Sequence, residues 1–187
     1  MAEIEFHIGD ITSLDIEAIV CPAHRHLIRG CGVSAAIFDR ASPALVLACS
    51  ELSECGIGEA RITESFGLPA RYILHTVTPQ WSGGDLWGVS ALDQLASCYQ
   101  QVLALAANHN IREVAFPALG AGSNKMPHDL ASRLALRELS RRADYFQRLV
   151  VCLCDRSTHR LWLQTWNDLQ AMGENDSRAG SLLQHSG

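Results

Sequence analysis

The sequence of 187 residues lacks the features that mark membrane-spanning, secreted and nucleic-acid-binding proteins. No apolar run approaches the roughly 18 residues of a membrane span, and the N-terminal segment MAEIEFHIGD carries acidic groups where a signal peptide carries basic ones. Fifteen basic against 20 acidic residues give a formal net charge of −5, without any basic block. Nucleic acids and anionic membranes attract basic patches, so we expect a cytoplasmic protein that binds neither of them in a general way.

The sequence also lacks a regular cysteine spacing. Its seven cysteines are odd in number and irregularly placed, which argues against a disulfide framework and favours reduced thiols. Two cysteines and two histidines nevertheless lie close together, and thiolate and imidazole groups are the preferred ligands of zinc. Their spacing is not that of a recognised structural zinc site, so we predict no metal and no cofactor, and leave zinc at this cluster as an open alternative. The four residues are Cys21, His24, His26 and Cys31.

Short β-type apolar runs alternate with longer helical ones along the chain, which is typical of a layered α/β domain. Hydrophobic residues make up 48% of the sequence and charged residues 19%, ordinary values for one globular domain. We predict six strands in one sheet with helices on both faces. The predicted strands are Ile4–Ile8, Ala18–Val20, Ala60–Glu64, Arg71–Val77, Glu113–Pro117 and Leu149–Cys154.

Helix start signals, an N-cap residue or a proline ahead of an apolar run at helical spacing, occur at four places. Ser90 with Asp93 forms the clearest of them, a capping-box pattern. From Met172 the sequence is small, polar and without period, so we predict a folded domain over residues 1–171 and a flexible C-terminal tail over 172–187. The four predicted helices begin at Ser42–Pro43, Ser90, Pro127 and Ser157.

Two glycine-rich stretches follow predicted strands, at the positions where an open α/β sheet places its ligand. Gly30-Cys31-Gly32 leads into an apolar helix over 33–38, and residues 118–123 follow the strand that ends at Pro117. Glycines let backbone N–H groups approach an anion closely, and a helix N-terminus adds a favourable dipole. The first stretch taken alone fits a plain turn equally well. Two such loops from separate strands can close on opposite sides of one phosphate group, so together they predict a phosphate-containing ligand.

A succession of short segments carries a further signal. The segments are GDIT (9–12), EAIV (17–20), GCGV (30–33), GEARIT (58–63), LPARYILHTV (68–77), CYQQVLALA (98–106) and VAFPALGAG (114–122). In order and spacing, over about residues 4–170, they resemble the macrodomain family. The resemblance implies a three-layer α/β/α sandwich with a mixed, about six-stranded central sheet. It also implies binding of ADP-ribose or its derivatives, and some members of the family hydrolyse ADP-ribosyl linkages or deacetylate O-acetyl-ADP-ribose.

The resemblance assigns ligand-binding roles to residues of this chain. Asp10 matches the family aspartate that accepts a hydrogen bond from the adenine amino group, and a short carboxylate at a strand end is a suitable acceptor. Asp10 as a residue of a simple turn is the alternative. The two glycine-rich loops match those that hold the diphosphate. The residues predicted to bind the ligand are Asp10, Ile11, His24, Gly30, Cys31, Gly32, Val33, Ser34, Leu119, Gly120, Ala121, Gly122, Ser123 and Asn124.

The departures from the family pattern include its catalytic groups. Cys21-Pro22-Ala23-His24 stands where the family commonly has Asn-Ala-Ala-Asn, and Ser34 replaces the catalytic aspartate of the main hydrolase class. Asn124 and Cys154 replace aromatic residues, which removes stacking surface for the ligand. We therefore predict a module that binds ADP-ribose or a related nucleotide diphosphate derivative, either free or on an ADP-ribosylated macromolecule.

His24 leaves a second function open. It replaces an asparagine that contacts the distal ribose in the family, and it is either a polar residue at the rim of the site or a group that contacts the ribose and acts as a base. In the latter case the chain would be an ADP-ribosyl hydrolase or an O-acetyl-ADP-ribose deacetylase, with His24 as the candidate catalytic residue. Binding of single-stranded RNA is disfavoured by the acidic balance of the sequence.

Overall fold

Six strands form one mixed sheet in the computed structural model, which describes residues 3–83 and 90–183, with side chains as far as residue 173. The strands are β1 (Ile4–Ile8), β2 (Ala18–Pro22), β3 (Ala60–Glu64), β4 (Tyr72–Thr76), β5 (Glu113–Pro117) and β6 (Arg148–Leu153). Their order across the sheet is β1-β6-β5-β2-β4-β3. The β3–β4 pair is antiparallel and the other four pairs are parallel. The predicted α/β class with a mixed six-stranded sheet is confirmed.

Five α-helices within the described residues cover the two faces of this sheet. They are α1 (Gly32–Arg40), α2 (Ala44–Ser50), α3 (Ala91–Asn108), α4 (His128–Arg142) and α5 (Arg156–Leu183). Helices α1 and α2 pack on one face, where Ile37 and Leu45 enter the core, and α3, α4 and α5 pack on the other. The predicted three-layer α/β/α arrangement is therefore confirmed.

The sheet core explains the apolar runs of the central strands. Successive side chains of a strand point to opposite faces, so Ile19 packs beneath α1 and α2, whereas Val20 packs beneath α3, α4 and α5. Both side chains are fully buried. A parallel sheet with helices on both faces has no solvent-facing side, and this is why residues 18–21 are apolar without alternation.

The helix caps agree with the prediction at α3 and α4 and differ from it at α2 and α5. The Ser90 hydroxyl accepts a hydrogen bond from the Asp93 N–H at 3.1 Å, and Pro127 precedes the first residue of α4, both as predicted. At α2, Pro43 rather than Ser42 occupies the N-cap position. At α5, the N–H of Thr158 donates to Asp155 at 2.9 Å, so the cap lies ahead of the predicted Ser157.

Helix α5 runs past the predicted end of the folded domain. Its backbone continues to Leu183, so residues 172–183, which we predicted to be part of a tail, are helical. The segment contains no proline and includes Met172, Ala179 and Leu182, which favour helix formation once a helix has begun. The division into a folded domain and a flexible tail stays a prediction, and residues 184–187 lie outside the described residues.

Helices α1 and α2 are separated by a sharp bend. Ala41 leaves α1 in an extended conformation, and the proline at position 43 starts the next helix at an angle of 118° to the first. Together the two bent helices have the length and apolar composition of a membrane span, whereas no single helix in the described part of the chain is long and apolar enough for one.

The order of the strands brings together the loops that follow them. Strands β2 and β5 are neighbours and parallel, so the loops after Pro22 and Pro117 leave the sheet at the same edge. Strands β1 and β6 are likewise neighbours, with Ile8 opposite Leu153. Ligands of open α/β sheets bind outside the carboxyl ends of the strands, and four connecting segments of this chain meet there.

Candidate functional site

A cavity of about 760 Å³ lies at the carboxyl ends of the parallel strands. Its walls come mainly from the segments that follow β1, β2, β5 and β6, with Thr78 after β4, and its size is within the ordinary range for a small-molecule site. Of the residues that the sequence predicted to bind a ligand, all but Ser34 and Leu119 line this cavity. Those that do are Asp10, Ile11, His24, Gly30, Cys31, Gly32, Val33, Gly120, Ala121, Gly122, Ser123 and Asn124.

The first glycine-rich loop leads directly into the N-terminus of α1. Cys31 is the N-cap residue, and no side chain caps the first turn of this helix. The first N–H groups of a helix have no partner within the helix, so those of α1 are available to a ligand in the cavity. Gly32 has a φ of 56°, a conformation that L-residues with a side chain rarely adopt, so glycine is needed at this position.

Ser34 and Leu119 lie behind the cavity wall, and in this respect the structure differs from the prediction. Ser34 is 1% exposed, and its hydroxyl accepts a hydrogen bond from the Gly30 N–H at 3.1 Å, which fixes the first loop from behind. Leu119 is 1% exposed and packs in the core beneath α3 and α4. Both residues therefore support the loops rather than face the cavity.

The second glycine-rich loop is a series of tight turns. The N–H of Met126 donates to the Gly120 carbonyl at 2.9 Å, and the N–H of Lys125 donates to the Gly122 carbonyl at 3.0 Å. Gly120 has a φ of 79°, and a side chain there would be strained. A Cβ atom at Gly122 would meet no other atom within 4 Å, since this glycine faces the open cavity. The two glycines therefore have different roles, one in the turn and one at the cavity surface.

Asn124 fastens a neighbouring segment to the second loop. Its Nδ2 donates to the Thr78 hydroxyl at 2.7 Å and to the Thr78 carbonyl at 3.0 Å. Its own carbonyl accepts a hydrogen bond from the Trp81 N–H at 2.8 Å. The amide that stands in place of an aromatic residue thus holds residues 78–81 against the loop, and Thr78 becomes part of the cavity wall.

Asp10 lies just after β1 and has most of its acceptor capacity occupied. Its Oδ1 accepts hydrogen bonds from the Thr12 N–H at 2.9 Å and the Thr12 hydroxyl at 2.6 Å, while Oδ2 pairs with Arg40. Burial alone would raise the pKa of the Asp10 carboxyl, but the Thr12 hydrogen bonds and the Arg40 charge outweigh it and lower that pKa. Asp10 is therefore an ionised acceptor at neutral pH, held in place from two sides.

His24 lies at the exposed rim of the cavity, and its ring orientation is fixed by its own turn. Nδ1 accepts a hydrogen bond from the His26 N–H at 3.2 Å. In the neutral ring the proton is then on Nε2, so Nε2 is a donor rather than an acceptor. His26 in turn pairs with Glu54 at 3.1 Å on the outer surface. His24 offers a hydrogen-bond donor to a ligand at the rim.

The cysteines of the proposed zinc cluster lie in different environments. Cys21 is fully buried, and burial raises the pKa of its thiol to about 12, which keeps it protonated. Cys31 is exposed at the start of α1. Within residues 3–83 and 90–183 no group of three or more His, Cys, Asp or Glu side chains is arranged to hold a metal ion.

Several cavity residues escaped the sequence analysis. Asp155 caps α5 and Thr158 lies in its first turn. Hydrogen bonds from the Ser157 hydroxyl and from Thr158 lower the pKa of the Asp155 carboxyl below its usual range. His128 begins α4 and accepts a hydrogen bond from the indole N–H of Trp162 at 3.2 Å. The sequence signal that could have identified these residues is a polar residue at the start of a helix that follows a strand. Cavity residues outside the predicted set include Thr78, His128, Cys152, Leu153, Cys154, Asp155 and Thr158.

Comparison with known sequences places this fold and cavity in a family. A family model described as Macro domain matches residues 20–135. A macro domain-containing protein of Mesorhizobium japonicum is 40% identical over 164 residues, which cover 86% of this chain and 92% of the relative. The human ADP-ribose glycohydrolase MACROD2 is 33% identical over 178 residues, which cover 93% of this chain and 41% of that longer protein.

Solved structures give the same result. An Oceanobacillus iheyensis macrodomain with ADP has a TM-score of 0.83 at 29% identity, covering 90% of this chain and 92% of its own. A Trypanosoma brucei macrodomain in complex with ADP has a TM-score of 0.78 at 30% identity, covering 87% of this chain and 68% of its own. The sheet order, the two glycine-rich loops and these similarities together show that the chain belongs to the macro domain family.

Proposed function

We propose that this chain binds ADP-ribose or a related nucleotide diphosphate derivative, with the diphosphate between its two glycine-rich loops. The observation that carries the proposal is the convergence of those loops on one cavity. The uncapped first turn of α1 supplies N–H donors on one side, and the glycine at position 122 leaves room on the other. Related macrodomains have been solved with ADP.

The position of Asp10 supports adenosine as the nucleoside. A carboxylate has about four lone-pair sites, and three of those on Asp10 are taken by the two Thr12 donors and by Arg40. The remaining site suits the amino group of adenine. Because Asp10 follows β1 and the loops follow β2 and β5, base and diphosphate would occupy neighbouring parts of one cavity.

Binding without hydrolysis is the function that these residues favour. A serine stands at the position of the usual catalytic aspartate, and its hydroxyl is buried and bonded to the Gly30 N–H. His24 is the remaining candidate base at the distal end, but Nδ1 is occupied by the His26 N–H and Nε2 carries the proton of the neutral ring. Neither side chain is therefore placed to take a proton from an attacking water.

A second candidate function is hydrolysis of an ADP-ribosyl or O-acetyl-ADP-ribose substrate. It is favoured by the similarity to ADP-ribose glycohydrolase MACROD2, which extends over 93% of this chain. The test is turnover of ester-linked, glycosidic and acetylated substrates by the wild-type protein and the His24→Ala variant. Turnover that the variant loses while it still binds ADP-ribose would support an enzyme. Tight binding without turnover of any of the three substrates would contradict it.

Calorimetric titration with ADP-ribose tests the binding proposal. The graded variants Gly122→Ala, Gly122→Val and Gly122→Glu should weaken binding in that order, with about a tenfold loss or more for valine because its side chain occupies the space beside the loop where the diphosphate would bind. Glutamate should weaken it further, since a carboxylate would face the diphosphate. Asp10→Ala should weaken binding by about tenfold through loss of a charged acceptor.

Two controls keep this titration specific. The melting temperatures of the Gly122 variants should stay close to that of the wild type, because a Cβ atom at this position meets no other atom within 4 Å. Asp144→Ala removes an exposed carboxylate at the far end of α4 and should leave the affinity unchanged. A Gly122→Glu variant that binds ADP-ribose as tightly as the wild type would overturn the proposal.

A further inference from the structure

His128 lies where α4, α5 and the cavity meet. It is the first residue of α4, is half-buried and forms part of the cavity wall. Its Nδ1 accepts a hydrogen bond from Trp162 Nε1 at 3.2 Å, and Trp162 is fully buried. Thr158, which also lines the cavity, precedes Trp162 by one helical turn on α5. The imidazole is thus held from behind by a rigid core residue.

The hydrogen bond from Trp162 determines which ring nitrogen of His128 carries the proton. Nδ1 must present its lone pair to the indole N–H, so the neutral ring is protonated on Nε2. This Nε2–H has no partner among the residues that the structure describes. A donor with a fixed tautomer and a fixed ring is therefore available at the cavity surface.

His128 lies at the end of the cavity where the nucleoside would bind. Strand β6 pairs with β1, with Leu153 opposite Ile8, so Cys154 and Asp155 leave the sheet beside Asp10. The first turn of α5 then carries Thr158, and the next turn carries the partner of His128. The wall formed by α4 and α5 therefore adjoins the end marked by Asp10, away from His24 on the loop after β2.

The other polar side chains of that wall hydrogen-bond to each other, and His128 keeps a side-chain N–H for a ligand. Both carboxylate oxygens of Asp155 are taken up by Ser157 and Thr158, with oxygen–oxygen and nitrogen–oxygen distances of 2.6 to 2.9 Å. The Thr158 hydroxyl is directed to Asp155 at 2.9 Å. Among the described side chains of this wall, a ligand therefore finds a free N–H on the imidazole of His128.

We propose that His128 is a specificity-determining residue for the nucleoside part of the ligand, where its Nε2–H donates to a hydrogen-bond acceptor of adenosine. The inference rests on the proposed binding of ADP-ribose. Adenine ring nitrogens and ribose oxygens are both acceptors of this kind.

Two substitutions separate this role from a purely structural one. In His128→Asn the side-chain amide can place its oxygen near the position of Nδ1, so Trp162 keeps an acceptor while the donor at Nε2 is lost. In His128→Gln the longer side chain can place its NH₂ group near the position of Nε2, so the donor is kept while Trp162 loses its acceptor. One variant removes the ligand contact and the other removes the helix contact.

The test is calorimetric titration of ADP-ribose together with thermal unfolding of the wild type and both variants. We expect the asparagine variant to keep its melting temperature and to bind about fivefold to tenfold more weakly, the loss of one neutral hydrogen bond. The glutamine variant should unfold at a lower temperature and bind within about twofold of the wild type. Competition by AMP and by ribose 5-phosphate then identifies the acceptor. If His128→Asn weakens the binding of AMP alone, the acceptor is on the base. If it weakens the binding of both compounds, the acceptor is on the ribose.

Failure of this inference is distinct from failure of the proposed function. If the wild type binds ADP-ribose and the asparagine variant binds it equally well, His128 has only a structural role and the inference is overturned. The same conclusion follows if the affinity of the two variants falls only in proportion to their melting temperatures. If the wild type does not bind ADP-ribose, the proposed function falls, and the role of His128 falls with it.

Discussion

His75 shows how burial alone changes the chemistry of one residue. It is fully buried in β4, where Nε2 lies 2.9 Å from the Thr63 hydroxyl and Nδ1 has no partner among the described residues. Burial lowers the pKa of His75 from its ordinary 6.5 to about 4, because a charged imidazole would lose its hydration. The residue belongs to the core and lies outside the candidate site.

His75 makes stability dependent on pH. The unfolded chain binds a proton at this ring near pH 6.5, whereas the folded protein binds it only near pH 4. Between these values the unfolded state holds more protons, so the free energy of unfolding should decrease as the pH falls, by about 3 kcal/mol in total. His75→Gln can keep the contact with Thr63 but does not titrate, so this part of the pH dependence should disappear. Urea unfolding across this pH range measures the slope.

A matched variant separates this effect from a general loss of stability. His7→Gln changes an exposed histidine on β1 and should leave the wild-type slope in place. The readout is the slope and not the absolute stability, because the glutamine at position 75 replaces a fully buried ring. A His75→Gln protein with the slope of the wild type would contradict the assignment.

The sequence predicted which residue types occur at the candidate site, but not the direction in which their side chains point. The resemblance identified Ser34 as the replacement for a catalytic aspartate, yet its hydroxyl turns inward to the Gly30 N–H. Asn124 was recognised as a lost aromatic residue, but its bonds to Thr78 depend on a contact between positions 46 residues apart. Side-chain direction follows from packing with distant segments, and the sequence of one loop does not contain that information.

At the scale of secondary structure, the start of α5 joins stability to the cavity. Asp155 accepts hydrogen bonds from the Ser157 hydroxyl at 2.6 Å and the Thr158 N–H at 2.9 Å, and the same residue lines the cavity. These bonds lower the pKa of its carboxyl. A folded-state pKa below the unfolded value stabilises the protein above the ordinary pKa of 3.8, and that contribution is lost as the pH falls through the folded value.

Removal of this cap should destabilise the helix and its contact with α4. We expect Asp155→Ala to lower the melting temperature at neutral pH, and Asp155→Asn to lower it less, because the amide oxygen still accepts from the Thr158 N–H. Differential scanning calorimetry measures both. Asp168→Ala removes an exposed carboxylate roughly three turns into the same helix; it is the control and should leave the melting temperature nearly unchanged. Equal melting temperatures for wild type and Asp155→Ala would show that the cap does not stabilise α5.

The secondary structure elements themselves followed from local signals wherever one signal was dominant. The bounds of β1, β3 and β5 agree with the prediction, because apolar β-type runs there end at turn residues. The start of α5 was placed too late, since Asp155 and Ser157 are both good N-cap residues and only the folded backbone selects between them. Helix ends depend on small free-energy differences that local sequence does not resolve.

At the scale of the whole molecule, the candidate site depends on the order of the strands. Alternating strands and helices predict a parallel sheet, but they do not say that β5 lies beside β2 or that β6 lies beside β1. The family resemblance implied a mixed sheet of about six strands, and the order of those strands came from the structure. His128 and Trp162 are 34 residues apart and meet because α4 packs on α5, so this part of the cavity had no local signal.

The distribution of thiols gives a prediction for the intact protein. Five cysteines are buried, whereas Cys31 and Cys154 are exposed and line the same cavity. We expect two thiols to react rapidly with a thiol reagent in the folded protein, and bound ADP-ribose to slow both reactions. With a thiol reagent that releases a chromophore, the change in absorbance measures both reaction rates. The single variants Cys31→Ser and Cys154→Ser should each retain one fast thiol that the ligand protects.

Two outcomes would contradict this picture of the cavity. Rapid reaction of more than two thiols in the native protein would mean that a cysteine described as buried is accessible. A ligand that protects one exposed thiol and leaves the other unaffected would mean that it does not extend between the loop before α1 and the segment after β6.

The separation between sheet and loops has a consequence for how this protein can change over time. Three residues by which it differs from the family pattern, His24, Asn124 and Cys154, lie on segments outside the strands. Substitutions at such positions leave the fully buried layers of Ile19 and Val20 intact. Ligand preference can therefore drift by mutation, or be altered in a library randomised at these positions, with little effect on the capacity of the chain to fold.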